Sequence, residues 1–218
     1  MSPDRGAIPL PVALDRAEVL RFLGYPAGRE PAPNAAAAFE SALVVARTLI
    51  EARGTFLELP AGRAHEAGLP RPRGKVAVER VVLGLATAGA WLEARGAELA
   101  TAGRVTEALL LDAAGSAAAE EAADRLCARV VEGAAGPRVS CRVSPGYGDW
   151  PLAAQRQLFD LLPHAELGVE LLPSLMMRPR KSVSFAMWLG ADGAPVPGLS
   201  GCDHCLLDRC AFRIRSPR

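Results

Sequence analysis

The stretch Gly168-Val-Glu-Leu-Leu-Pro-Ser-Leu-Met-Met-Arg-Pro-Arg-Lys-Ser-Val-Ser-Phe-Ala-Met-Trp188 decides the fold class. Its apolar runs read as short strands broken by Pro173 and Pro179, a pattern that favours an antiparallel meander over a parallel sheet. Working outward, the helical periodicities lie upstream of it. Asp149 and Pro151 open a helix running to Leu162, and Arg138 to Val143 alternates like a strand. From Val105 to Val131 the chain is alanine-rich with few breakers, so it reads as one long helix ended by Gly133 and Gly136. On it Leu109, Asp112, Ser116, Glu120 and Ala123 or Asp124 recur at spacings of three and four, which lays a polar stripe along one face.

The N-terminal half repeats the helical theme. Residues 1–12 contain three prolines and read as an extended arm. Asp15 caps a short helix that stops at Gly24, and the proline-rich residues 26–33 form a linker. Asn34 opens a second helix with Phe39, Leu43, Ala46 and Ile50 on its apolar face, ended by Gly54. Phe56 to Leu59 reads as a strand, residues 60–74 as a surface loop, and Lys75 to Leu83 as one bent or two short strands, with Thr87 as the cap of the next helix. Helices early and strands late predict an α+β fold: a twisted antiparallel sheet with helices. The domain plan is an arm and short helix over 1–33, a main domain over 34–200 and a cysteine-rich segment over 201–218.

Composition narrows the function. Twenty-five basic and 24 acidic residues leave a formal charge of +1, so no global field draws the chain to nucleic acid or an anionic membrane. The N-terminus has no apolar leader segment and no apolar run approaches the roughly 18 residues of a spanning helix, so a cytoplasmic protein is expected. Half the residues are apolar, enough for a proper core.

A ligand loop stands out in Arg142-Val-Ser-Pro-Gly-Tyr-Gly-Asp-Trp-Pro151. Gly146 and Gly148 permit positive φ and close backbone approach, Pro145 stiffens the entry, and Tyr147 is thrust outward. Arg142 can fork onto a carboxylate or phosphate. This loop resembles the Arg-x-x-x-Gly-Tyr loop of the activation domain of cobalamin-dependent methionine synthase. Leu171 to Ser184 is similar to a second motif of that domain, and Asp112 to Glu121 to the helix that supplies its acidic ligand. Glu18 to Tyr25 resembles the opening helix of free-standing relatives.

The resemblance implies a protein that binds S-adenosylmethionine and supports reductive remethylation of cobalamin carried by a partner methionine synthase subunit, as one part of a split methyltransferase. A flavodoxin or ferredoxin is the implied electron donor. The implied ligand contacts are Glu120, Arg142, Ser144, Pro145, Gly146 and Tyr147, with Tyr147 and Gly148 facing cobalamin. Arg142 would grip the carboxylate of the methionine moiety and Glu120 its ammonium, Glu121 being the neighbouring alternative about 100 degrees round the helix. No general acid or base is expected, because no proton moves in a methyl transfer to cobalt.

The chain also departs from the long multidomain enzyme. It has no room for homocysteine, folate or cobalamin modules, and it carries Pro173 and an apolar Phe185 to Met187 segment at positions of the second motif. A non-enzymatic corrinoid-protein binding module is therefore the alternative. A further option comes from the C-terminal Cys202, Cys205 and Cys210, which with His204 or Cys141 as fourth ligand have the density of a zinc or iron–sulfur site, or of a redox pair. That segment would make the protein an electron-transfer activator. His65 and His164 read as surface residues, and Met176, Met177 and Met187 as core fillers or an adaptable docking face.

Overall fold

A computed structural model describes residues 6–66, 78–133, 142–147 and 150–190. The strands are β1 (Ile8–Pro9), β2 (Arg53–Pro60), β3 (Val78–Thr87), β4 (Glu170–Leu171), β5 (Met177–Arg178) and β6 (Ser182–Gly190). The helices are α1 (Arg16–Phe22), α2 (Pro33–Leu49), α3 (Ala61–Glu66), α4 (Trp91–Thr101), α5 (Val105–Gly133) and α6 (Gln155–Leu161), with 3-10 turns at Leu152–Ala154 and His164–Leu167. The fold class is α+β as the sequence predicts.

The main sheet has the order β1-β2-β3-β6 and every pairing in it is antiparallel. Its centre, β3, is apolar at successive positions from Val81 to Ala86 because both faces of the strand are covered. Val81, Leu83 and Leu85 pack with Trp150, Leu158, Leu162 and Trp188 on one face. Val82 and Ala86 turn to the other, with Phe185, Met187, Leu126 and Val130. Gly84 sits opposite Phe185 in the β3–β6 register, and the Phe185 ring fills the space a side chain at Gly84 would need. Gly54 in β2 serves a similar purpose, admitting Leu10 and Leu126 against the strand.

Helix α5 has 29 residues and ties the two halves together. Ala113, Ala114, Ala117 and Ala118 let it pack closely among Phe39 and Leu43 of α2 and Leu92 and Leu99 of α4. Further along, Ala122, Ala123, Leu126 and Val130 lie on the sheet. Val19 and Leu20 bring α1 into the same helical core, where Asp15 caps α1 by accepting from the Ala17 N–H at 2.9 Å.

Several sequence expectations are corrected. The late strands do not form one meander: β4 and β5 pair only with each other, and β6 crosses to lie beside β3. A nine-residue strand buried on both faces is matched by β3, which is apolar from Val81 to Ala86 and pairs with it throughout, whereas Pro173 and Pro179 confine 170–178 to a short separate ribbon. Strands are not gathered late either, since the proline-rich arm contributes β1 through pairs of Ile8 with Gly54 and Pro9 with Arg53. The expected loop 60–74 begins with α3, and its remainder from residue 67 lies outside the described residues. Thr87 ends β3 rather than capping α4: its hydroxyl accepts from the Gly89 N–H at 3.1 Å, and the α4 N-cap is Ala90. Of the strand expected over 138–143, Arg142 and Val143 are described, and Val143 makes an isolated antiparallel bridge to Ala186.

Candidate functional site

The polar stripe of α5 faces two segments that the sheet delivers to it. The first is the loop 142–147. Val143 exchanges two backbone bonds with Ala186, at 3.0 and 2.8 Å, which pins the loop to β6 on the side away from β3. The chain then turns: Tyr147 N–H donates to Ser144 O at 3.2 Å, and Gly146 N–H to Trp150 O at 2.8 Å. Gly146 has φ of 93°, so a β-carbon there would be strained whatever the space around it. Pro145 is buried, Tyr147 is 53% exposed, and Trp150 is buried in the core beneath the sheet. The turn therefore sorts its two aromatics, one outward and one inward.

The loop places Arg142 on α5. Its Nη2 donates to Glu120 Oε2 at 2.6 Å and to Asp124 Oδ1 at 2.9 Å, and its Nε donates to the same Asp124 oxygen at 3.1 Å. The Arg142 side chain is 22% exposed, against 41% for Glu120 and 64% for Asp124. Burial pulls the guanidinium pKa down, but the charges and hydrogen bonds of Glu120 and Asp124 outweigh it and hold it above the ordinary arginine value. Arg142 is a permanent cation here.

The second segment is the corner before β6. Lys181, 11% exposed, lays its stem over Gly115 and donates through Nζ to Asp112 Oδ1 at 2.8 Å and Ser116 Oγ at 2.9 Å. Arg180 binds Glu93 of α4 through Nε at 2.9 Å and through its backbone N–H at 2.8 Å. The corner is held from below. Ala88 N–H donates to Lys181 O at 2.9 Å, and the buried Ser182 hydroxyl lies 2.9 Å from Thr87 Oγ1 while donating to Pro179 O at 2.7 Å. Ser182→Ala removes a buried donor and leaves the Pro179 carbonyl without it, so a loss of about 1–3 kcal/mol in urea unfolding is expected; an unchanged midpoint would show that the staple contributes nothing.

Of the residues singled out from sequence, Glu120 and Arg142 are brought into direct contact, and Ser144, Pro145, Gly146 and Tyr147 follow in the adjoining turn. Gly148 lies outside the described residues, as do Cys141, Cys202, Cys205, Cys210 and His204. Among the described residues no three His, Cys, Asp or Glu side chains gather in a way that could hold a metal. Glu121 points elsewhere and pairs with Arg125 at 2.7 Å. His164 is more than a surface residue: its Nδ1 is 2.7 Å from Val169 O and its ring lies 5.0 Å from that of Phe159. Met187 is buried with Phe185 and Leu126, Met177 packs in part against the cluster of Trp150 and Trp188 on the other face, and Met176 is exposed.

Sequence reasoning left two participants out of the site. Asp124 lies on the polar stripe with no partner expected for it, and Lys181 lies within the segment Leu171 to Ser184 with no role expected for it. The spacing of four from Glu120 was a usable signal for Asp124. Nothing in the spacing ties Lys181 to Asp112, 69 residues away by their numbers.

No protein-family model and no curated protein matches the sequence. Among solved structures, the crystal structure of the MetH reactivation domain bound to AdoHcy superposes with a TM-score of 0.62 at 15% identity, covering 88% of this chain and 81% of that one. At this identity the likeness establishes a shared fold. Among the described residues no helix is long and apolar enough to cross a membrane.

Proposed function

We propose that the chain binds S-adenosylmethionine between α5 and the loop 142–147, and that it serves the reductive remethylation of cobalamin carried by a partner methionine synthase subunit. The observation that carries this reading is the meeting of Arg142 and Glu120, 22 residues apart, at 2.6 Å. It is supported by the fold shared with a reactivation domain solved with AdoHcy.

The residues fit the ligand's chemistry. A half-buried guanidinium matches a carboxylate, the acid beside it matches an ammonium, and the exposed Tyr147 ring with Leu152 against Gly146 offers apolar cover. When bound, the sulfonium supplies an activated methyl group and the partner's cobalamin the acceptor. The task of this chain is orientation: Arg142 and Glu120 fix the amino-acid head, while the pinned turn presents Tyr147 toward the corrin. No side chain needs to move a proton.

Isothermal titration with S-adenosylmethionine and S-adenosylhomocysteine tests the binding step. Saturable binding of both in a 1:1 ratio is expected, and no heat with either ligand, from the wild-type chain and from Asp124→Ala alike, would end the reading. A second reading rests on a specific observation, that Arg142 already holds two carboxylates: the chain would then be a corrinoid-protein binding module without methyl transfer. That version predicts capture of the partner subunit by the chain with no binding of S-adenosylmethionine. The electron-transfer option rests on Cys202, Cys205 and Cys210 and predicts a brown, air-sensitive protein.

A further inference from the structure

We infer that Asp124 is a built-in stand-in for the ligand's carboxylate, a latch on Arg142 that ligand binding must displace. The inference rests on the site proposed above and adds its regulation.

The argument is one of counting hydrogens. A guanidinium offers a carboxylate two forked edges, Nε with Nη2 and Nη1 with Nη2, and both use Nη2. In this protein the two Nη2 hydrogens are committed, one to Glu120 at 2.6 Å and one to Asp124 at 2.9 Å. Asp124 Oδ1 also takes Nε at 3.1 Å, so this carboxylate occupies the side edge of the fork. A ligand carboxylate can make a bidentate contact with Arg142 only when one of the two acids leaves.

Exposure decides which acid leaves. Asp124 is 64% exposed and Glu120 41%, while Arg142 is 22% exposed. A mostly solvated carboxylate gives up an ion pair at small cost, because water replaces the lost contact. Glu120, held closer and less exposed, remains to meet the ammonium. Arg125, the cation next to Asp124 on α5, is engaged by Glu121, so the released Asp124 is left to water and returns when the ligand departs.

The consequence is a reduced apparent affinity for carboxylate-bearing ligands, in proportion to the fraction of molecules in the open state. Ligands that lack the carboxylate escape this reduction, since they have no need of the occupied edge. Asp124→Asn keeps the size of the side chain and removes its charge, which weakens the contact with Arg142. Asp124→Ala removes the contact entirely at an exposed helical position, where alanine is well tolerated.

The experiment is calorimetric titration of the wild-type chain, Asp124→Asn and Asp124→Ala with S-adenosylhomocysteine, S-adenosylmethionine and decarboxylated S-adenosylmethionine. If about nine-tenths of molecules are latched, both variants bind the two carboxylate ligands about tenfold more tightly, and the decarboxylated ligand no more tightly than wild type does. Binding detectable only in the variants supports the latch as its limiting case. Unchanged or weaker binding of S-adenosylhomocysteine by both variants overturns it, as does equal tightening of the decarboxylated ligand. Those outcomes, accompanied by wild-type binding that Arg142→Ala weakens about tenfold or more, leave the site standing and sink the latch alone. Absence of binding by wild type and both variants removes the site and the latch together.

Discussion

Gly84→Ala is expected to destabilise the protein by about 3 kcal/mol, the upper part of the usual range for overpacking a core. A β-carbon at Gly84 would stand 2.3 Å from Phe185 Cζ, and 2.6 and 2.8 Å from the two adjoining ring carbons. The ring has nowhere to go: Phe185 is fully buried among Leu126, Val130, Met187 and Val82. Nor can β3 yield, because it is paired on both sides along almost its whole length. Urea unfolding followed by circular dichroism measures the loss. In the Gly84→Ala background, Phe185→Leu should recover part of it although Phe185→Leu alone is destabilising. Strictly additive losses would refute the steric account.

Arg142→Ala is expected to weaken S-adenosylmethionine binding by about tenfold to a hundredfold, the range for losing a hydrogen-bonded contact to a charged group. The substitution removes the proposed anchor for the carboxylate and also leaves Glu120 and Asp124 as unopposed negative charges at the same spot. Arg142→Lys should fall between, because a lysine supplies a point charge but no fork that spans two acceptors. Stability should change far less. Ion pairs with partners this exposed contribute about 0–1 kcal/mol, so the unfolding midpoint of Arg142→Ala is expected near that of wild type. The opposite pattern, a large fall in stability with binding intact, would make Arg142 a structural brace and dismantle the proposed site.

The helices were the legible part of the fold. The length of α5 follows from an alanine-rich run without breakers, and the Asp15 cap of α1 from one residue type at one position. Strand partners were not legible in the same way. β6 has the composition of a buried strand, but its composition carries no address, and its pairing with β3 depends on an apolar strand of similar length whose last residue, Thr87, lies 95 residues before Ser182. The proline-rich arm misleads locally: Ile8 and Pro9 pair with β2 at the sheet edge, where proline is tolerated.

The candidate site divides along the same line. Sequence by itself determined the ridge of Asp112, Ser116, Glu120 and Asp124 and the positive-φ turn at Gly146, because both follow from local backbone geometry acting over a few residues. Tertiary structure alone decided which cation each acid meets. Val143 bridging to Ala186 brings Arg142 to Glu120 and Asp124, and the corner stapled by Ser182 and Thr87 brings Lys181 to Asp112. Attraction between charges depends on separation in space, and helix periodicity says nothing about which distant segment will arrive beside a given face.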